Sequence, residues 1–154
     1  MWCPTSTVRI ERSTLDALDK VIVAAVGITT VALAQANRAG ELTFPQWRVL
    51  VVVGGRPSGV RVSEIARRIG ASSPSASRLI RRMERAGFVT TERDESDRRA
   101  TLVRLTAAGA RVRSTVIDRR RRLVARLFRS HAGRLPQNLD QGLHAIGDVL
   151  SPDT

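Results

Sequence analysis

The sequence has few of the residues that build disulfide scaffolds, metal clusters and catalytic centres. It contains one cysteine, two histidines and no tyrosine. A single thiol, that of Cys3, excludes an internal disulfide and a cysteine-rich zinc site. His131 and His144 fall on different predicted elements, and no nucleophile or carboxylate pair stands near them at motif spacing. No glycine-rich phosphate loop follows a predicted strand. We therefore expect no enzymatic activity, no metal and no cofactor.

Acidic residues and lysine are also scarce. The sequence has 26 basic and 14 acidic residues, a net charge of +12 and an isoelectric point near 11.8. A chain this basic favours an anionic polymer as its partner. All but one of the basic residues are arginine, which suits bidentate contacts to phosphates and bases, but a GC-rich genome gives the same bias and we weight that explanation more. The length of 154 residues fits one domain with its own core.

Residues 62 to 87 have the pattern of two short helices joined by a tight turn. Apolar residues recur at helical spacing in the first helix, and Gly70 is predicted to end it with a positive φ. Ser72 is the expected N-cap of the second helix, which then begins near Ser73 with Pro74 in its first turn. The predicted apolar residues of the first helix are Val62, Ile65, Ala66 and Ile69.

The second helix separates an apolar face from a basic face, as a recognition helix in the DNA major groove requires. Its apolar side carries Ala76, Leu79, Ile80 and Met83. On the other side, short residues near the N-terminus let the backbone approach the bases, and Arg78 is placed to contact guanine bidentately. Arginines further along the helix are expected to meet phosphates. A solvated arginine face is the alternative interpretation. The predicted DNA contacts are Ser72, Ser73, Pro74, Ser75, Ser77, Arg78, Arg81, Arg82 and Arg85.

Two predicted strands and a polar tip, residues 94 to 99, follow the second helix. The strands are expected over residues 88 to 93 and 100 to 105. The tip has no core to fill, so its charges act on solvent, on one another or on a partner. Asp97 precedes Arg99 by two residues and is expected to hold its guanidinium extended toward the DNA minor groove. A merely solubilising turn is an equal alternative for the tip alone. The predicted DNA contacts here are Asp97, Arg98 and Arg99.

These segments resemble the MarR family of bacterial transcription regulators. The similar stretches are LTFPQWRVLVVV (42–53), VSEIARRIG (62–70), SPSASRLIRRMERAGFV (73–89) and DESDRRATLVRLTAAG (94–109). The most specific parts are the Asp-x-Arg tip and the Leu-Thr-x-x-Gly start of a long helix. The resemblance implies a cytoplasmic homodimer that binds pseudo-palindromic DNA near its own promoter. Many members release DNA when a small aromatic or anionic compound binds, or when a cysteine is oxidised.

The resemblance also bears on an effector site and on the cysteine. It places Trp47 and Arg48 at part of an effector pocket, although we favour core packing for Trp47. Peroxide-sensing members carry a reactive cysteine in the first helix, usually supported by tyrosines. Cys3 instead lies in a predicted N-terminal tail of a chain without tyrosine. We interpret it as an incidental thiol that is nevertheless open to oxidation.

Residues 13 to 38 are predicted to form one long first helix whose interior, residues 21 to 34, is apolar almost all round. This run is shorter than the about 20 residues of a transmembrane helix. A signal peptide is a closer alternative, because Ala32-Leu33-Ala34 resembles a cleavage site. Acidic residues precede the run, however, and a DNA-binding module follows it. We therefore expect a helix buried between subunits and no membrane attachment.

The remaining helices complete the predicted organisation. Thr43 is the expected N-cap of a helix that turns Trp47, Leu50 and Val51 inward, and Thr106 caps a helix of about 23 residues. A last helix, residues 136 to 150, carries one apolar stripe that suits pairing with a partner. Residues 1 to 154 thus form a single MarR-like domain, with dimerisation helices at 13–40 and 106–150 and a DNA-binding lobe at 43–105.

The predicted fold class is mainly α, or α+β: a winged helix-turn-helix lobe with a helical dimerisation region. The predicted function is sequence-specific regulation of transcription, as a repressor released by a small aromatic or anionic effector. The main alternative is an architectural or nucleoid-type protein that binds DNA without operator specificity. A more distant one is a winged helix that binds RNA or an acidic protein. Retention of a complex with the upstream DNA in excess random duplex separates a regulator from an architectural protein.

Overall fold

A computed structural model of the protein describes residues 10–36 and 42–150. Cys3 lies outside the described residues. Gly40, near which the first helix was expected to end, also lies outside them. The elements are α1 (Arg12–Ala36), α2 (Phe44–Gly54), β1 (Val60–Arg61), α3 (Val62–Ile69), α4 (Ser73–Arg85), β2 (Val89–Arg93), β3 (Thr101–Leu105), α5 (Ala107–Ser130), a 3-10 turn (Ala132–Arg134) and α6 (Leu139–Leu150). The chain divides into two compact units, one ending at Arg120 and one beginning at Arg121.

The fold class predicted from the sequence is confirmed: α3 and α4 form a helix-turn-helix, and β2 and β3 form the wing that follows it. The antiparallel sheet has a third strand that the sequence did not predict, in the order β1-β3-β2. Val60 pairs with Val103 and Arg61 with Leu102. A strand of two residues is too short to show any alternation of apolar and polar residues, which is why β1 was missed.

Local capping signals position α4 as predicted. Gly70 ends α3 with φ 67°, in the left-handed region that favours glycine. The Ser72 Oγ accepts a hydrogen bond from the Ser75 backbone N–H at 3.4 Å and caps α4. After α4, Gly87 adopts φ 75°, and the Phe88 N–H donates to the Met83 carbonyl at 3.0 Å. This bond closes the end of the helix before the chain enters β2.

The core of the first unit lies between α2, the helix-turn-helix and the sheet. Leu50, Ile65, Met83 and Val103 are almost completely buried there, and burial of such side chains contributes about 1.5 to 3 kcal/mol each. The prediction that Val51 points inward is wrong, because this residue is 41% exposed. α2 is apolar almost all round, so its sequence pattern did not define which side faces the core.

Thr106 and Gly109 dock the start of α5 against the end of the helix-turn-helix. The Thr106 Oγ accepts from the Gly109 N–H at 3.0 Å, which confirms the predicted cap. The Thr106 N–H also donates to the Phe88 carbonyl at 3.1 Å. A Cβ at Gly109 would overlap the carbonyl oxygen of Phe88. The Leu-Thr-x-x-Gly pattern therefore reflects a close approach of two backbones that only glycine permits.

α1 exposes a large apolar surface in the single chain. Val21, Ile22, Val23, Val26 and Val31 are each 46 to 64% exposed. By length and composition, α1 is also the single helix within the described residues that could cross a membrane, a test that core helices and N-terminal signal sequences pass as well. The sequence argument that the apolar run is too short therefore does not by itself exclude a membrane span.

The second unit holds the end of α5 and α6. α6 begins at Leu139, not at Pro136 as predicted, because the preceding residues form a turn in which the Leu139 N–H donates to the Pro136 carbonyl at 3.2 Å. Leu143 and Ile146 are 47% and 44% exposed, and Val149 is 84% exposed. Of the predicted apolar stripe, Leu143 and Ile146 are therefore exposed, and Leu139 is half-buried.

Candidate nucleic-acid interface

The outer face of α4 is basic and accessible. Its inner face buries Ala76, Ile80 and Met83 in the core. The arginines predicted to contact DNA all lie on the exposed side, as Arg78, Arg81, Arg82 and Arg85. Of the short residues at the start of the helix, Ser77 is half-buried, and the exposed ones are Ser72, Ser73, Pro74 and Ser75. This arrangement leaves a helix face free to enter a groove.

Local hydrogen bonds hold part of this face in the free protein. The Arg78 guanidinium donates to the Ser75 Oγ at 3.1 Å, and the Ser72 and Ser75 hydroxyls lie 3.0 Å apart. The Arg85 Nε donates to the Arg81 carbonyl at 3.4 Å. Both arginines are long, exposed side chains, so exchanging such a bond for one to a base or a phosphate requires only rotamer changes.

The wing carries a buried carboxylate that the sequence analysis did not single out. Asp94 is only 7% exposed, although the tip was expected to have no core to fill. It accepts hydrogen bonds from the Ser96 N–H at 2.9 Å and the Ser96 hydroxyl at 2.7 Å. The Arg61 Nε donates to it at 2.7 Å. Because 33 residues separate Arg61 from Asp94, no local sequence pattern could have revealed this pair.

These partners keep Asp94 ionised. Hydrogen bonds from the Ser96 side chain and backbone, and then from Arg61, lower the pKa of Asp94 from 3.8 to about 2. Each of them stabilises the carboxylate more than the protonated acid. The negative charge at the base of the tip therefore persists throughout the physiological pH range.

Asp97 shapes the tip in a different way from the one predicted. Its carboxylate accepts from the Arg99 backbone N–H at 3.0 Å, and its carbonyl accepts from the Ala100 N–H at 2.8 Å. The expectation that Asp97 holds the Arg99 guanidinium is therefore wrong. A carboxylate two residues before an N–H is suited to an Asx turn, which fixes the backbone and leaves the arginine side chain extending from the tip.

The two arginines of the tip line separate clefts. Arg98 lies with Arg93, Asp94 and Glu95 around a cleft of about 450 Å³. The second cleft, of about 400 Å³, lies between the wing and the helix-turn-helix, and we call it the wing cleft. Its lining residues are Arg61, Val62, Ser63, Ser73, Ser77, Asp97, Arg99, Ala100 and Thr101.

The wing cleft brings predicted and unpredicted residues together. Ser73 and Ser77 of α4 meet Asp97 and Arg99 of the tip there, as expected for a recognition helix flanked by a wing. Arg61 and the residues after it, at the start of α3, were missed. They stand outside the recognition helix, and only the return of the wing beside α3 makes them part of this surface.

A second carboxylate links α4 to the sheet. The Glu84 Oε1 accepts from the Thr91 backbone N–H at 2.9 Å and from the Thr91 hydroxyl at 2.6 Å. This pair of bonds ties the end of α4 to β2 and satisfies a backbone donor of an outer strand. Glu84 thereby fixes the recognition helix relative to the wing.

Trp47 and Arg48 lie apart from the wing cleft. Trp47 is 3% exposed, as core packing predicts. The Arg48 guanidinium donates to the carbonyls of Ile69 at 2.7 Å and Arg68 at 2.8 Å. A cation is favoured at these carbonyls because they form the negative end of α3. Arg48 therefore connects α2 to the turn before α4. Contact of Trp47 and Arg48 with an effector stays a prediction.

The described part of the chain contains no group of three or more histidine, cysteine, aspartate or glutamate side chains that could hold a metal ion. His131 lies on the surface, where its Nδ1 is 2.9 Å from the Leu127 carbonyl. His144 is exposed on α6. Neither histidine lines the two clefts described above.

Comparisons with known proteins identify relatives of this fold. Residues 41–100 match the sequence model described as the MarR family. The transcriptional activatory protein BadR of Rhodopseudomonas palustris is 41% identical over 81 residues, which cover 51% of this chain and 46% of BadR. The chain thus spans about half the length of the curated relatives it matches.

Solved structures extend the likeness beyond the matched segment. RV1404 from Mycobacterium tuberculosis has a TM-score of 0.76 and 24% identity, and the match covers 91% of this chain and 95% of that one. NadR, solved in complex with 4-hydroxyphenylacetate, has a TM-score of 0.68 and 19% identity over 99% of this chain and all of that one. At these identities the structural likeness establishes the fold.

Proposed function

Because residues 41–100 of this chain match the sequence model of the MarR family, we propose that it is a sequence-specific DNA-binding regulator of transcription. It acts as a cytoplasmic homodimer and carries out no catalysis of its own. The observation that carries this proposal is the wing cleft, where Arg99 of the tip and Ser73 and Ser77 of α4 line one surface beside the exposed arginines of the helix.

In this function α4 enters the major groove and the tip reaches the neighbouring minor groove. The exposed serines at the start of α4 let its backbone come close to the base edges, and Arg78 reads guanine. Arg81, Arg82 and Arg85 bind phosphates and set the register of the protein on the duplex. Arg99 extends into the minor groove, where the negative potential of the DNA is high.

A homodimer explains the apolar surfaces that the single chain leaves exposed. α1 and α6 both expose several large apolar side chains. Monomeric soluble proteins rarely expose large contiguous apolar patches. Two copies related by a two-fold axis cover these surfaces and present two α4 helices to a pseudo-palindromic operator. Their spacing then has to match one helical turn of DNA, about 34 Å.

The regulatory signal proposed is a small aromatic or anionic compound. NadR, a structural relative, has been solved with 4-hydroxyphenylacetate, a compound that is both aromatic and anionic. Binding beside Trp47 and Arg48 would act on the turn before α4, because Arg48 holds the carbonyls at the end of α3. BadR is described as an activator, so reporter transcription with and without the protein determines whether this regulator represses or activates.

The test of the function is a competition experiment. Purified protein is mixed with labelled DNA from upstream of its own gene and challenged with increasing unlabelled random duplex. A regulator keeps the complex in about a thousandfold excess of competitor, the lower end of known specificity ratios. If random duplex displaces the labelled DNA when the two are at equal concentration, the protein is an architectural DNA-binding protein. If neither DNA binds, the winged helix has a partner other than DNA.

Arg99→Ala is expected to weaken operator binding by about 1 to 3 kcal/mol, because it removes the minor-groove contact while leaving the fold intact. Arg98→Ala is the matched control. It removes the same charge from a neighbouring residue that lines the other cleft, and its effect should be smaller. Binding isotherms at one salt concentration measure both. Equal and small losses would mean that the tip is only a solubilising turn.

Arg78→Ala is expected to relax sequence preference, because this side chain lies within the first two turns of α4. Arg85→Ala should instead weaken operator and random DNA alike and lower the slope of log affinity against log salt by about 0.9. Titrations of both DNAs across a salt series distinguish the two effects. Losses in the same ratio for both variants would contradict the assignment of base readout to the start of the helix.

A salicylate-like compound is expected to quench the fluorescence of Trp47 and to bind more weakly to operator-bound protein, with a coupling of about 1 to 3 kcal/mol. The Trp2→Phe variant assigns the signal to Trp47, since the chain has two tryptophans. Arg48→Gln should reduce affinity for the compound. A ligand that binds equally well with and without DNA would exclude control of this kind.

A further inference from the structure

Arg61 and Asp94 connect the two outer strands of the sheet. Arg61 ends β1, and Asp94 directly follows β2, while β3 lies between those strands. The Arg61 Nη2 is 2.6 Å from the Asp94 carboxylate, and its Nε donates to the same oxygen at 2.7 Å. Two guanidinium nitrogens of Arg61 thus share one oxygen of Asp94, while the other oxygen accepts from Ser96, so the carboxylate is held from two sides.

The same pair joins the wing tip to the start of α3. Arg61 is the N-cap residue of α3. Asp94 closes the tip through its N–H, which donates to the Ala100 carbonyl at 3.1 Å, and through the two hydrogen bonds that it accepts from Ser96. Within the described residues, the backbone pairing between β1 and the wing extends over two residues. The ion pair, together with the Arg61 Nη2 that donates to the Ser96 hydroxyl at 3.2 Å, adds a side-chain link between the tip and the start of α3.

We infer that Arg61 and Asp94 are positioning residues that set the place of Arg99 beside α4. This inference rests on the proposed function, since Arg99 is the predicted minor-groove contact. Arg61 and Arg99 line the same cleft, opposite Ser73 and Ser77. The distance between the tip and α4 must match the distance between adjacent grooves, so a loosened tip loses the contact of Arg99 even though the side chain is present.

A hydrogen-exchange measurement on the free protein tests the clamp without DNA. Asp94→Asn keeps the size and the acceptor oxygen of the side chain but removes the charge that holds Arg61. The Arg99 and Ala100 amides bond to Asp97, not to the Asp94 side chain. Their exchange is expected to become at least about fivefold faster in Asp94→Asn, because the whole tip opens more often. Arg61→Lys, which replaces the two donor nitrogens on this oxygen by a single ammonium group, should give the same result.

Glu92→Gln is the matched control. Glu92 pairs with Arg104 at 2.7 Å on the same wing, but this pair is exposed and does not connect the outer strands. The variant should leave the exchange of the tip amides unchanged. Unaltered tip exchange in both Asp94→Asn and Arg61→Lys, or an equal acceleration in Glu92→Gln, would overturn the inference.

Operator binding then separates positioning from general stability. Asp94→Asn is expected to weaken binding about five- to tenfold in the wild-type background and less than about twofold when Arg99→Ala is already present, because the two changes remove the same contact. An equal factor in both backgrounds would refute a role through Arg99. Loss of operator preference in the wild-type protein itself would refute the proposed function, and the exchange measurement would still decide whether the clamp exists.

Discussion

Gly109→Ala is expected to lower the free energy of unfolding by about 3 kcal/mol or more, the upper range for a residue forced into a packed site. The added Cβ would overlap the carbonyl oxygen of Phe88, which is a backbone atom and cannot rotate away. That carbonyl also accepts from the Thr106 N–H at 3.1 Å, so the start of α5 can retreat only by breaking its own anchor. Chemical denaturation of the purified variant measures the loss.

The matched control for this prediction is Gly55→Ala. Gly55 follows α2 with φ −80°, and the nearest atom to a Cβ built there is the Val52 carbonyl oxygen at 3.7 Å, an ordinary contact. Alanine fits this backbone, so the free energy of unfolding should change by no more than about 0.5 kcal/mol. A Gly109→Ala protein as stable as the wild type would show that α5 does not approach Phe88 this closely in solution.

Ending the chain at Leu135 is expected to abolish the homodimer and to lower operator affinity by a factor of about 10² to 10⁴, the gain that two linked binding events provide. The deletion removes α6, whose Leu143, Ile146 and Val149 are 44 to 84% exposed within their unit. Analytical ultracentrifugation measures the assembly state, and binding to a full operator and to a single half-site measures the consequence. Half-site affinity should change little.

Two controls separate the apolar stripe from the mere length of the chain. A chain ending at Leu150 keeps all of α6 and should remain dimeric. Leu143→Glu places a charge in the stripe and should reproduce the deletion, whereas Gln141→Glu adds the same charge at an exposed polar position of the same helix. A deletion variant that sediments as a dimer and binds the operator normally would exclude α6 from assembly.

Much of the winged helix-turn-helix could be predicted because the signals that define its elements act over a few residues. Gly70 and Gly87 mark helix ends through their positive φ, and Ser72 and Thr106 cap the next helices through bonds to residues three positions on. Such interactions depend on the local chain alone. The helix-turn-helix, its wing and the exposed basic face of α4 were therefore predicted with bounds that differ little from those observed.

Two of the failures concern the packing of distant parts of the chain, and a third concerns the conformation of a tight turn. Asp94 belongs to a tip that was expected to have no core to fill, but it is buried against Arg61. Val51 was assigned to the core, but it is 41% exposed. Because α2 is apolar on almost every side, tertiary packing and not the sequence pattern determines which side faces the core. Asp97 binds the backbone of Arg99, a choice that depends on the conformation of the hairpin turn.

By itself, then, the sequence determined the order of the helices and of the two wing strands, the amphipathic division of α4 and the basic character of its exposed face. Capping, helix ends and periodicity are properties of neighbouring residues. Tertiary structure alone decided that β1 joins the sheet, that Gly109 approaches Phe88, and that Arg61 holds Asp94 beside the wing cleft. These contacts form only when segments far apart in the chain pack against a common core. The hydrophobic periodicity of each segment indicates its own secondary structure and does not indicate which other segment it contacts.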